Sequence, residues 1–269
     1  MLEDDQRVTA LEWGGPHEHA TIAERGCIIR AVVGSTLHGL VRGGTDDRDE
    51  MGVCVEPRQY VLGLRYFEHW VHRSQPEGRQ SGPGDLDLVV YSLRKYCRLA
   101  LKGSPTVLLL LFAPPEALLI QTPIGDRLQA LAPAFVSRRT GRAFLGYLTA
   151  QRRRLLESAH APRKREMSEE HHYDTKYALH ALRLGHQGVE LLETGRITLP
   201  VPEPVRSSLL EVRHGTVPLE LIVSELEGIR GRLEGLLETS VLPPEPDDEA
   251  VNRFLVEAHE DAWSDPSLA

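Results

Sequence analysis

Short apolar blocks dominate the first part of the chain, and helical spacing dominates the rest. Cys27 to Val33 is rich in β-branched residues and predicts a buried strand, which Gly34-Ser35 ends. Thr36 to Val41 suits one or two helical turns, stopped by Gly43-Gly44. Asp49 to Glu56 predicts a second strand, closed by Pro57, and Tyr60 to His72 suits a further strand or a short helix. Gln75 to Gly84, rich in Gly, Pro, Ser and Gln, predicts a loop. Leu86 to Tyr91 predicts a third strand, with Asp87, Val89 and Tyr91 on one face and Leu86, Leu88 and Val90 on the other. Ser92 is placed to cap a helix running to about Leu101. Lys102 to Pro105 breaks it, and Thr106 to Phe112 starts a second helix.

After Pro115 the strand signal fades. Residues 124–133, 138–158, 173–194, 204–213 and 217–238 predict helices, with Thr194-Gly195 as a C-cap and Ile197 to Val201 extended. A short helix also fits His17 to Arg25. From Pro243 the chain reads as loose, apart from an amphipathic stretch from Val251 to Ala258. The expected fold class is α+β. A mixed sheet with flanking helices spans 1–115, a mainly helical region spans 116–242, and an acidic tail spans 243–269.

Composition changes this picture little. The 269 residues are 41% hydrophobic and 26% charged, enough for a sizeable core. The longest apolar run, Val107 to Ala113, is too short to span a bilayer. The acidic N-terminus lacks the basic-then-apolar order of a signal peptide, so a cytoplasmic protein without membrane contact is expected. Cys27, Cys54 and Cys97 are widely spaced among apolar residues and read as buried thiols.

Charge matters more. The net charge is −8, yet residues 127–165 hold ten Arg or Lys against one acid, and residues 243–269 hold eight acids against one Arg. The basic segment 127–165 is either a polyanion site or a set of solvated helix arginines.

The chemistry concentrates in residues 34–52. Asp47 and Asp49, two apart on a strand, share a face and can hold the same Mg²⁺ or Mn²⁺. Two such ions about 4 Å apart stabilise the attacking and leaving oxygens of an in-line displacement. Asp87, on the third strand, is the choice for a third carboxylate, with Asp85 as the fallback. Gly34 lets backbone approach a phosphate, and Ser35 adds a hydroxyl donor. Asp46 and Glu50 are read as solvated, or as supporting the pair from behind.

Lys176, His180 and Arg183 fall at i, i+4 and i+7 on one helical face. They can hold a triphosphate or an RNA backbone, or else pair with Asp174, Glu169 or Glu190. The vicinal His171-His172 is unsuited to one metal. Phe67, Trp70 and Tyr91 can stack on a base, although core packing suits such residues better.

These residues resemble the DNA-polymerase-β-type nucleotidyltransferase superfamily, and more narrowly its RlaP (YcgL-like) members, tied to RNA repair. Four stretches carry the resemblance: Gly34 to Gly39; Asp47 to Gly52; Tyr91 to Lys95 with Leu99 to Pro105; and Tyr173 to Lys176 with His180, Arg183 and Leu184. The chain departs from the family at Ser104, Leu109 and His38, where Asn, Glu and Tyr are usual.

The resemblance implies a polymerase-β-type catalytic domain that transfers a nucleoside monophosphate from an NTP to an acceptor hydroxyl, with an RNA end as acceptor. It implies that Asp47, Asp49 and Asp87 hold two metal ions. It implies that Gly34, Ser35 and His38, with Lys176, His180 and Arg183, contact the nucleotide. Rival readings are transfer to a protein or small molecule, a metal-dependent glycosyltransferase, and a fold that binds nucleotide or RNA without turnover. The sequence leaves the acceptor, the base preference and the oligomeric state open.

Overall fold

The computed structural model describes residues 15–41, 47–76, 78–79, 82–159 and 173–264. The expectations for Gly43-Gly44, Asp46, Glu169 and His171-His172 lie outside them. Helix α1 (Pro16–Arg25) leads into strand β1 (Cys27–Val32). The chain then turns into a short helix, α2 (Gly34–His38), and on to β2 (Arg48–Cys54), α3 (Arg58–Val61) and β3 (His69–Arg73). β4 (Leu86–Ser92) passes directly into α4 (Leu93–Leu101), where the Ser92 hydroxyl accepts from the Lys95 N–H as the sequence predicts.

The sheet order is β3-β4-β2-β1-β5, with β2 and β4 parallel and the other neighbours antiparallel. This mixed sheet with flanking helices is the expected α+β architecture. Its fifth strand, β5 (Leu118–Gln121), corrects the expectation that strands end before residue 115. Four residues between Pro115 and Pro123 carry too little local pattern, and pairing with β1 makes them a strand.

One face packs Ile29, Ala31, Met51 and Val53 against α4, α5 (Pro105–Leu108) and α6 (Pro123–Ala130). The opposite face packs Cys54, Leu88 and Val90 against Ile22 and Ala23 of α1, with Tyr60 and Phe67. Cys27, Cys54 and Cys97 are buried free thiols, as predicted.

After α7 (Ala132–Phe135) the described residues are mainly helical, as expected. The long helices are α8 (Arg138–Ala159), α9 (Thr175–Thr194), α10 (Val205–His214) and α11 (Leu219–Thr239). Gly195 takes the left-handed C-cap of α9, with φ +73°. Ile197, Leu199 and Val201 are buried but join no strand. A second core lies among α8 to α11 and includes Leu40.

The tail corrects the sequence reading. Residues Asp248–Ser264 form α12, and Val251, Phe254, Ala258 and Ala262 on one side of it enter the sheet's core. The amphipathic stretch is the middle of a longer helix whose acidic outer face hid its length.

Candidate metal and nucleotide site

Sheet register brings the acids together. Asp49 on β2 and Asp87 on β4 are directly paired across the parallel ladder, so their side chains leave the same face. Asp47 lies just before β2. The three carboxylates can each offer an oxygen within 4.8 Å of the others, a donor set suited to Mg²⁺ or Mn²⁺. Asp87 also accepts from Gln75 Nε2 at 3.0 Å and sits 3.7 Å from Arg73 Nε. Asp85, the fallback acid, is used otherwise. Its carboxylate takes the Gly82 N–H at 2.9 Å and the Ser74 hydroxyl at 3.1 Å, which ties down the loop before β4.

Gly34 faces this cluster. It has φ +64°, and a Cβ at that position would overlap the Asp49 carboxylate. Only glycine meets both demands, so α2 begins directly against the acids. Glu50, read as solvated or as supporting the pair from behind, is not solvated. It points to the other face, is 3% exposed, and is paired with Arg30 and Arg48.

The far end of α2 meets the helical region. His38, four residues after Gly34, is buried, and its Nε2 lies 2.7 Å from Arg183 Nη1. A guanidinium can only donate, so Nε2 accepts and the ring is neutral. Burial, then the charge of Arg183 and proximity to His180, hold the His38 pKa well below its usual value. Arg183 also donates to Gln187 Oε1 at 3.1 Å. Burial lowers the His180 pKa to about 3, helped by Arg183, Lys176 and Arg213. Burial also lowers that of Arg183 to about 10.

The structure therefore gathers His38, His180 and Arg183, with Lys176 exposed one turn before His180 on the same helix. Two further residues there escape the sequence reading. Gln187 sits four positions after Arg183, so the same helical spacing reaches it. Arg213, which donates to the Leu40 carbonyl from α10, has no local signal at all.

The basic segment is partly neutralised. Among the described residues, Arg127 pairs with Asp261, Arg139 with Glu245, Arg152 with Glu227 and Arg153 with Glu157. The first two of those acids come from the acidic tail.

A mixed sheet, a Gly-Ser turn after its first strand and three carboxylates, two on adjacent strands and one just before them, define a polymerase-β-type nucleotidyltransferase fold. Within that class the chain belongs to the RlaP family, the RNA repair pathway DNA polymerase β family, whose model matches residues 17–257. No curated protein matches the chain. Among the described residues no helix is long and apolar enough to cross a membrane.

Proposed function

We propose that this protein transfers a nucleoside monophosphate from an NTP to a hydroxyl at an RNA end. The observation that carries the reading is the convergence of Asp47, Asp49 and Asp87 beside Gly34. In this reading Asp47 and Asp49 hold two magnesium or manganese ions, and Asp87 holds one of them. The ions supply charge stabilisation for the attacking and leaving oxygens. Asp87 also receives the acceptor proton as its oxygen bonds the α-phosphorus. The bond from that phosphorus to the bridging oxygen breaks, and pyrophosphate leaves.

Gly34 and Ser35 hold the terminal phosphates, with Lys176 and Arg183 supplying positive charge. The contact of Arg183 with His38 supports a further task for that side chain, anchoring the end of α2. Family membership supports RNA as the acceptor.

The test is incorporation of labelled NTP onto RNA ends with Mg²⁺. Wild type should incorporate and the Asp47→Ala/Asp49→Ala protein should not. Equal incorporation by the two would overturn the assignment.

A further inference from the structure

The sheet face that carries the acids is covered unevenly. Over β1 and β2 it lies beneath helices, and Ile29, Ala31 and Val53 are 0% exposed there. Over β4 and β3 the cover thins out. Val89 and Tyr91 are half-buried, Val71 is 49% exposed, and His69 is exposed. Cross-strand register fixes which residues share this face. Arg73 pairs with Asp87, Val71 with Val89, and His69 with Tyr91. The ladder thus runs from the third acid outward along an edge strand.

Its chemistry changes in a definite order. Next to Asp87 stands Arg73, whose side chain is 67% exposed. Then comes the apolar pair Val71 and Val89. At the end the His69 and Tyr91 rings lie 6.1 Å apart. Four residues of strand put Tyr91 about 13 Å from Asp87. Phe67 and Trp70, the other stacking candidates, belong to the core of the opposite face, so Tyr91 is the one of the three that shares a face with the acids.

We infer that this open β3–β4 face is the docking surface for the acceptor, an unpaired RNA end. The inference rests on the transferase reading above and adds where the acceptor lies. Bases next to the reacting hydroxyl stack on His69 and Tyr91, and Arg73 turns from Asp87 to a backbone phosphate. A duplex exposes only the outer face of its terminal base pair, whereas a single strand presents a base face at every nucleotide. Continuity with Asp87 sets the polarity, with the reacting hydroxyl at the acid end and the bases behind it over the rings.

The test measures binding and turnover separately. Anisotropy of a labelled single-stranded oligoribonucleotide is recorded on the Asp47→Asn/Asp49→Asn protein, with and without His69→Ser/Tyr91→Leu. The added pair should weaken binding about tenfold. Leucine keeps apolar bulk at a partly packed position, and Tyr91→Phe, which keeps the ring, should bind as the parent does. In the active protein the same pair should raise the acceptor KM about tenfold and leave the NTP KM unchanged. An acceptor with abasic residues behind its terminus should erase that difference.

Unchanged RNA affinity in His69→Ser/Tyr91→Leu would overturn the docking surface, whatever the turnover. If wild type fails to extend RNA ends while the ring variants still lose RNA binding, the transferase reading falls and the RNA surface stands.

Discussion

Strand β2 carries a carboxylate near each end, and their surroundings are opposite. At its start Asp49 faces Asp47 and Asp87, three like charges with oxygens within 4.8 Å. Just past its other end Glu56 is fully buried and alone among donors. Its carboxylate takes the Leu93 N–H at 3.2 Å, Arg94 Nε at 3.1 Å and His259 Nε2 at 3.2 Å, while its carbonyl takes Trp263 Nε1 at 2.8 Å. Burial raises the Glu56 pKa, but the bonds from His259 and Arg94 outweigh it and the net shift is downward. One end gathers three acids that could share a cation, and the other has a single acid surrounded by protein donors.

Pocket size would mislead here. A cavity of about 670 Å³ opens at the Glu56 end, lined in part by Arg58, Arg94, His259 and Trp263. Its buried acid is saturated by protein groups and clamps α12 onto the sheet. The donors around Glu56 mark that end as one built to hold α12 in place.

Substitutions at the two ends should therefore fail in opposite ways. Asp49→Asn should cost at least about a thousandfold in nucleotide incorporation, or about 4 kcal/mol of transition-state stabilisation, with a melting temperature near that of wild type. Glu56→Ala should cost about 3 kcal/mol of stability, because it strands Arg94 and His259. Urea denaturation would show that loss, while incorporation per folded molecule stays within about threefold of wild type. Catalytic collapse in folded Glu56→Ala would break the comparison.

Gly34→Ala sharpens it at the junction of acids and α2. A positive φ costs a non-glycine residue about 1–2 kcal/mol, and the new methyl also presses on Asp49. Both melting temperature and incorporation should fall, which neither end does alone.

Acid offers a smaller probe of the α2 anchor. The folded protein keeps His180 neutral down to about 3, whereas the unfolded chain protonates it near 6.5. Between those values the unfolded state binds the extra proton, so stability falls as pH drops. The slope approaches about 1.4 kcal/mol per pH unit for His180, and His38 shifts in the same direction. His180→Gln should flatten the urea midpoint between pH 7 and pH 5, and an unchanged slope would count against a buried neutral imidazole.

Much of the candidate site is legible in the order of residues alone. Asp47, Asp49 and Gly34-Ser35 lie close in sequence, and their spacing encodes their meeting. Asp87 is reachable because strand alternation puts it on one face of a predicted strand. Glu50 misleads for the complementary reason. Adjacent to Asp49 in sequence, it points to the opposite face, and its partner Arg30 lies on a neighbouring strand. Gln187 is within reach of helical spacing, and Arg213 is not.

The local elements, the acid pair, the turn before it and the family follow from the sequence, because they depend on neighbours a few residues away. Long-range packing settles the rest. It makes a strand of Leu118–Gln121, docks α12 through Glu56, pairs three arginines of the basic segment with distant acids, and leaves the β3–β4 face open beside Asp87. Each depends on groups far apart in the chain, and whether a charge is paired or a face is covered is a property of what packs against it.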